Sequence, residues 1–518
     1  MTGKGYVVRT ALIVALGGFL MGFDASVISG VVKFIEIEFG LSSLQLGWAV
    51  SSLTLTATLA MMVSGPLSDI FGRRTVLYGA AVLYAISAIG SALAPNYTLL
   101  VIARMIGGLG VGASLIIAPM YIAEIAPPAI RGRMVSFNQL NIVLGISVAF
   151  FTNYLIVQLG QSDATWAQQL MFGPYNWRWM LGLETLPAVL YFACLFAVPE
   201  SPRWLVMRGQ REAGLAILEK ACGAEAAQRD LAALQASLAA GKNKGKVRIS
   251  ALLAPSLRLV LLIGIVIAIV QQITGINAVF FYAPMIFEQS GIGTNAAFMQ
   301  AVLVGLVNLA FTVVAILLID RLGRKPLLVG GLAGIAVSMI VLAYGFWSAS
   351  YTLSPDMIDT LPEAVSTGLA SIAGQTYGSD LAFKAAIDGA VGTALATQFQ
   401  SEIIAVAIDM NATLILLSIL AFVASFAISV GPVMWVLFSE LFPNRVRGLA
   451  ISFVGLINSA VSWAVQQFFP WELANLGNAL TFVLYGVFAV LGLLFVIARV
   501  PETKGRSLEE LEEFLARE

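Results

Sequence analysis

Long apolar stretches recur from one end of the chain to the other, separated by short polar or charged segments. A helix that crosses the hydrocarbon core of a bilayer needs roughly 20 mainly apolar residues. Runs of that kind are centred near residues 20, 55, 85, 110, 145, 188, 270, 308, 337, 422, 458 and 486. They predict an all-α integral membrane protein of twelve transmembrane helices. The first run, from about Thr10 to Val32, contains Asp24 and is followed by Lys33. It is longer than the apolar part of a signal peptide and does not end in a small-residue cleavage site. It therefore reads as an uncleaved first helix.

Two long segments break the pattern. Between about Pro199 and Arg258 the chain is charged and rich in Ala and Leu. There Leu215, Ile217, Leu218, Leu231, Leu234 and Leu238 predict short amphipathic helices. Between about Ser350 and Gln400 it is polar and acidic, with Asp356, Asp359, Glu363, Asp380 and Asp388 against the single Lys384. The spacing of Ile372, Leu381, Ala385 and Ala386 predicts an ordered lid over the outer mouth. An interaction surface or a tolerated loop are the other readings of so long a connection.

The chain also repeats itself. Asp69-Ile-Phe-Gly-Arg-Arg74 returns as Asp320-Arg-Leu-Gly-Arg-Lys325, 251 residues on. Glu124-Ile-Ala-Pro-Pro-Ala-Ile-Arg-Gly132 returns after 316 residues as Glu440-Leu-Phe-Pro-Asn-Arg-Val-Arg-Gly448. Pro199-Glu200 returns after 302 residues as Pro501-Glu502. Two parallel six-helix halves result, and the jump in offset places an insertion between Lys325 and Glu440. The expected organisation is a first half at 1–198, a cytoplasmic helical linker at 199–255, a second half at 256–500 with the insertion at about 350–400, and a cytoplasmic tail at 501–518. Parallel halves allow alternating access by rocking one half over the other around a midplane site.

Composition narrows the function. Hydrophobic residues make up 59% of the chain and charged residues 11%, against roughly 25% charged in a soluble domain. Formal net charge is zero, so nothing points to nucleic acid. With the N-terminus in the cytoplasm, 25 of the 29 Lys and Arg fall on cytoplasmic segments, the exceptions being Lys33, Arg104, Arg178 and Lys384. That bias places both termini on the cytoplasmic side of a cell membrane, a bacterial inner membrane by expectation. The spans offer no nucleophile–base pair, no histidine and no metal cluster, which argues against an enzyme and against a cofactor. Any proton chemistry must use carboxylates. Cys194 and Cys222 do not suggest a disulfide. The segment after Val500 is short for the signalling tail of a sensor. A monomer bathed in lipid is the expected working form.

Three kinds of residue carry chemistry. The first are the Gly-Arg motifs at cytoplasmic helix ends. Asp69, Arg73, Arg74, Asp320, Arg324 and Lys325 face the recurring carboxylates Glu124, Glu200, Glu440 and Glu502 in sequence register, together with Arg131, Arg203 and Arg447. Pairs across the boundary between halves would exist only when the cytoplasmic side is closed, which predicts a gate. Anchoring by the positive-inside bias is the plainer alternative.

The second are amides inside spans: Gln139, Asn141, Gln271, Gln272, Asn277, Asn308 and Asn458. An unsatisfied amide in hydrocarbon costs several kcal/mol. A sugar hydroxyl is donor and acceptor at once, and so is an uncharged amide. Trp435 can cover the apolar face of a sugar ring. Hydrogen bonding between helices is the competing use, above all for Asn141.

The third are ionisable residues inside spans: Asp24, Arg104 and Glu184, all in the first half. Such residues are costly and by default mark function. An Asp24–Arg104 pair that a proton breaks, releasing Arg104 towards Glu184, would couple proton entry to transport. One charge moved through 150 mV yields roughly 3.5 kcal/mol, enough for a gradient of a few hundredfold. A static ion pair in a passive carrier is the alternative.

Pro199-Glu-Ser-Pro-Arg-Trp-Leu205, Gln271-Gln-Ile-Thr-Gly-Ile-Asn277, Gly431-Pro-Val-Met-Trp435 and Pro501-Glu-Thr-Lys-Gly505 occur in this order. They resemble the signatures of the sugar porters of the major facilitator superfamily, in particular its bacterial xylose–proton symporters and related hexose carriers. The resemblance implies that Gln139, Gln271, Gln272, Asn277, Asn308, Gly431, Trp435 and Asn458 lie at sugar-contacting positions. It departs at Phe281, where relatives carry tyrosine, and at Ser459, where they carry tryptophan. Both leave the sugar open. Gly22-Phe-Asp24 resembles the proton-coupled members, which carry aspartate in helix one where facilitative human carriers have asparagine, and Glu184 also matches that branch. The implied function is monosaccharide–proton symport, with an uncoupled carrier of a hexose, polyol or inositol as the other reading.

Overall fold

The computed structural model of the protein describes residues 3–127, 130–243, 252, 254, 257–443 and 446–504. Eleven helices among these residues are long and apolar enough to cross a membrane. Helices one to five are Lys4–Phe39, Ser43–Phe71, Arg73–Ala92, Tyr97–Ile125 and Arg131–Gly160. Helix six is the twelfth, in two short pieces, Asn176–Gly182 and Thr185–Leu195, with Glu184 at the join. Helix seven is also broken, into Arg258–Ile273 and Ile276–Glu288, and helix ten into Ala412–Ile428 and Val430–Leu441. Helices eight, nine, eleven and twelve are Gly293–Leu322, Arg324–Trp347, Arg447–Asn475 and Gly477–Arg499.

The chain divides into two compact units. The first comprises Met1–Val27, Ser52–Ala149 and Arg178–Val247. In it helix three packs on helices four and six. The second comprises Ile28–Ser51, Phe150–Trp177 and Arg248–Glu518. In it helix nine packs on helices ten and twelve. The equivalence of three, four and six with nine, ten and twelve is the repeat expected from sequence. The units do not coincide with the sequence halves, because one end of helices one, two and five packs within the second unit.

The linker forms helices at Pro202–Met207, Arg211–Cys222 and Ala224–Asn243. Leu218, Ala227 and Leu231 bury against one another, with Leu215 beside them. Ser201 caps the first of these helices and Pro202 fits its first turn, where no N–H is needed. Residues 244–250 of the expected linker and 505–518 of the expected tail, with Gly505 of the last motif, lie outside the described residues.

The insertion is longer than expected and is not purely helical. Its strands β1 (Ser350–Thr352), β2 (Thr376–Tyr377) and β3 (Ile408–Asp409) form an antiparallel sheet in the order β2-β1-β3. Tyr351 lies opposite both Tyr377 and Ile408. The segment thus extends past Gln400 to the start of helix ten. It has its own core, including Tyr351, Ile358, Val365, Leu369, Ile387, Ile403 and Ile404, with Tyr351 stacked on Phe383. The helix Asp380–Val391 buries Phe383 and Ile387, not the expected stripe of Leu381, Ala385 and Ala386. The aromatic ring and the branched side chain bury more apolar area than two alanines, so they set the inward face.

Candidate functional site

Both Gly-Arg motifs form the same structure. Arg73 pairs with Asp69 (2.7 Å) and with Glu124 (3.1 Å), and Arg324 pairs with Glu440 (2.8 Å). Glu200 accepts from the backbone N–H of Arg73 and Arg74 at the start of helix three. Glu502 does the same for Arg324 and Lys325 at the start of helix nine. Free N–H groups at a helix N-terminus favour a carboxylate. Gly72 (φ 100°) and Gly323 (φ 96°) precede these starts, in a backbone region that excludes side chains. A Cβ there would also lie 2.4 Å from Glu200 Oε2 and 2.7 Å from Glu502 Oε2, respectively. Ser201 and Thr503 each donate to the motif glutamate, Glu124 and Glu440.

Sequence reasoning expected these arginines to pair across the boundary between halves. The ion pairs described for Arg73 and Arg324 lie within their own half. The four-residue spacing of Asp69 and Arg73, and helix starts that capture the nearest glutamate, satisfy them locally. Arg131 and Arg447 donate to the carbonyls of Ala126 and Phe442, five residues back in each case, and so close the ends of helices four and ten. Arg74 donates to Tyr78 and Lys325 to the carbonyl of Ile497. Arg203 is half exposed and reaches Glu124 only at 3.9 Å. The Asp320 side chain lies outside the described ones. Burial raises the Glu200 carboxyl above its ordinary value against three backbone hydrogen bonds and the charge of Arg73. Burial acts on Glu502 too, but four backbone hydrogen bonds outweigh it and hold that carboxyl low.

The first unit also holds the buried Asp24, Arg104 and Glu184. Arg104 Nη1 lies 3.5 Å from Asp24 Oδ1, and both side chains are 2% exposed. Glu184 is equally buried, at the join of helix six, within electrostatic reach of Asp24 and Arg104. Asp24 Oδ2 and Glu184 Oε1 have no hydrogen-bond partner among the described residues, nor do the hydroxyls of Tyr84, Ser114 and Tyr191. A Cβ at Gly107 would lie 2.8 Å from Asp24 Oδ2, so helix four makes room for the carboxylate. Gln139 is exposed in this unit. Asn141 donates to the carbonyl of Phe137 in its own helix, a structural use.

The amides of the second unit meet at two broken helices. Helix seven breaks at Thr274-Gly275, and Gly275 is left-handed (φ 92°) with the Tyr485 ring 2.3 Å from where its Cβ would be. Helix ten breaks at Ser429, next to Pro432, which has no N–H to give to the preceding turn. Gln271 Nε2 donates to the carbonyls of Val430 and Gly431 at that break (3.3 and 3.4 Å). Asn458 Nδ2 donates to Gln271 Oε1 (2.7 Å) and to the Ala268 carbonyl (2.9 Å). Gln272 Nε2 donates to Asn458 Oδ1 (3.1 Å). Asn277 Nδ2 donates to Gln272 Oε1 (2.7 Å) and to Ser462 Oγ (2.6 Å). One uncharged network thus ties helices seven, ten and eleven. Trp435, one turn past the second break, is 46% exposed. Phe281 and Asn308 are buried, and among the described residues no hydrogen bond joins Asn308 to the network.

Sequence reasoning missed Ser462 and Gln466, which extend the network on helix eleven, with Gln466 Nε2 donating to Ser462 (2.9 Å). It also missed Gln467, bonded to Ser51 (2.8 Å). The signal was present: residues 458, 462 and 466 form a polar stripe at four-residue spacing in an apolar helix.

The chain matches the family described as "Sugar (and other) transporter" over residues 10–357 and 383–515. It is 36% identical over 508 residues to the arabinose–proton symporter of Bacillus subtilis, covering 98% of this chain and 95% of that one. It is 35% identical over 541 aligned residues to the D-xylose–proton symporter of Escherichia coli, covering 98% and 96%. Among solved structures, the inward open conformation of the xylose transporter XylE from E. coli superposes with a TM-score of 0.74 at 32% identity, covering 98% of this chain and 99% of that chain. The repeated Gly-Arg motifs, the broken helices and these full-length likenesses lead to one assignment: this multi-pass membrane protein belongs to the sugar transporter family.

Proposed function

We propose that the chain carries a monosaccharide into the cell by alternating access, in symport with protons. The carrying observation is the buried Asp24–Arg104 pair with Glu184 beside it, in a protein whose sugar-binding amides are uncharged. Relatives whose names specify arabinose–proton and xylose–proton symport support it. Residues 1–198 and 256–500 act as the two moving halves, joined by the linker 199–255, with the tail 501–518 and the N-terminus in the cytoplasm of a bacterial cell.

In this reading the sugar binds Gln139, Gln271, Gln272, Asn277, Phe281, Asn308, Gly431, Trp435 and Asn458. Its hydroxyls substitute for hydrogen bonds that the amides make to one another, and Trp435 covers its apolar face. External protonation of Asp24 releases Arg104 towards Glu184 and lets the loaded carrier turn inward. Asp69, Arg73, Arg74, Glu124, Arg131, Glu200 and Arg203, with Asp320, Arg324, Lys325, Glu440, Arg447 and Glu502, hold the cytoplasmic helix ends of each half as rigid units and gate that side. Transport needs a proton as coupling ion and no cofactor, and the monomer suffices.

A panel of pentoses, hexoses and polyols added to proteoliposomes tests this with a pH-sensitive dye. The expected result is alkalinisation outside on adding the cognate sugar. Sugar entry with no proton movement identifies an uncoupled carrier instead.

A further inference from the structure

The insertion between helices nine and ten makes contacts that the mechanism above does not use. Lys33 on helix one donates from Nζ to three partners: Glu288 Oε1 at the end of helix seven (2.9 Å), Thr294 Oγ1 at the start of helix eight (2.7 Å) and Ser401 Oγ in the insertion (3.0 Å). An ammonium has three N–H groups, so the set is complete. Ser401 in turn donates to Glu288 Oε2 (2.6 Å). The Lys33 side chain is 22% exposed and that of Glu288 6%, which sets this pair apart from screened surface pairs.

Ser401 is held rigidly. It lies in the helix Gln400–Ala407, whose Ile403 and Ile404 are fully buried in the insertion's own core. The insertion is also tied to helix twelve, where Asp380 accepts from the backbone and side-chain N–H groups of Asn478 (3.1 and 2.9 Å). Lys384 pairs with Asp380 (3.6 Å) and lies within electrostatic reach of Glu36, one turn past Lys33. The match to the transporter family is interrupted between residues 357 and 383, inside this segment. The insertion is therefore a folded addition, anchored on second-half helices and touching helix one of the first half at a buried charge.

We propose that the insertion is a working part of the transport cycle: it presents Ser401 to Lys33 and Glu288 as a latch that fastens helix one to helix seven. The latch must release before this end of the protein opens. One ammonium makes all three hydrogen bonds, so they are lost together and the latch opens as a unit. Its strength sets the fraction of molecules open at the insertion end. Lys33, Glu288 and Ser401 are positioning residues here, since none needs to touch sugar. The proposal rests on the transport reading for alternating access alone, not for the sugar or the proton.

A thiol reporter tests it. Ser51 is buried and bonded to Gln467 on helix eleven, so Ser51→Cys becomes reactive when that seam opens. In a background with Cys194→Ser and Cys222→Ser, maleimide labelling of purified protein is followed without sugar or gradient. Ser401→Ala and Lys33→Gln raise the labelling rate severalfold, and Lys33→Glu raises it further. The exchange Lys33→Glu with Glu288→Lys, and separately Ser401→Thr, bring it back towards the reference rate. Equal rates for Ser401→Ala and the reference, or a charge exchange that labels as fast as Lys33→Glu alone, overturn the latch. Labelling needs no transport, so this result and a failure of the symport assay are read independently.

Discussion

The buried polar groups of the two units solve opposite problems. In the first unit Asp24, Arg104 and Glu184 are ionisable, with Asp24 and Arg104 paired at 3.5 Å and, among the described residues, no hydrogen bond to Asp24 Oδ2 or Glu184 Oε1. In the second, Gln271, Gln272, Asn277 and Asn458 are neutral and hydrogen-bonded to one another, and Gln271 also to carbonyls at the break in helix ten. A proton changes the first set and leaves the second untouched. A sugar hydroxyl can replace an amide partner in the second set and offers the first set much less. The sequence halves are repeats at the Gly-Arg motifs, yet they differ in these buried polar groups.

The largest effect that would sharpen this contrast is at Arg104. Arg104→Met leaves two buried carboxylates without their cation, a loss of about 3–5 kcal/mol. Thermal unfolding in detergent should show it, and Asp24→Asn added to Arg104→Met should restore part of the loss. No recovery in the double variant would mean that Asp24 and Arg104 are not energetically paired. In the other unit, Asn458→Ala removes partners from Gln271, Gln272 and the Ala268 carbonyl. A buried group left unsatisfied costs about 1–3 kcal/mol. Sugar affinity by titration calorimetry should fall roughly 10- to 100-fold, while protons moved per sugar stay unchanged. A changed ratio would break the separation between the units.

The smallest effect is at the motif carboxylates, where the repeats match in geometry and differ in protonation. The Glu200 carboxyl is raised, so its contribution to stability is present at low pH and is lost as pH rises through its folded value. The Glu502 carboxyl is lowered, so its contribution is present at neutral pH and is lost as pH falls through its folded value. Melting temperatures of Glu200→Gln and Glu502→Gln relative to the parent should therefore drift in opposite directions with pH, by about 1 °C. Parallel drifts would show that the two motifs are electrostatically equivalent.

Much of this was legible in the sequence because the bilayer imposes a coarse, one-dimensional code. Twelve apolar runs and three repeated motifs gave the helices and their equivalence. The break in helix seven was visible as Gly275, and that in helix ten as Gly431-Pro432. The break in helix six at Glu184 also had its signal, with Gly182 and Pro187 on either side of it, but the continuous apolar run around it masked the two pieces. The same-half partners of Arg73 and Arg324 were not legible, because a list of charges carries no distance. Lys33 was read only as an exception to the charge bias, since its partners lie 255, 261 and 368 residues away. The sheet in the insertion has strands of two or three residues, too short to show an alternating pattern.

The proposed division of labour has proton coupling in the first unit and sugar binding mainly in the second, with Gln139 contributed by the first. It is tested most directly by Asp24→Asn in proteoliposomes, measuring uphill accumulation under an imposed proton gradient and sugar exchange at equilibrium. Accumulation is expected to be abolished while exchange continues. Accumulation that persists in Asp24→Asn would contradict it.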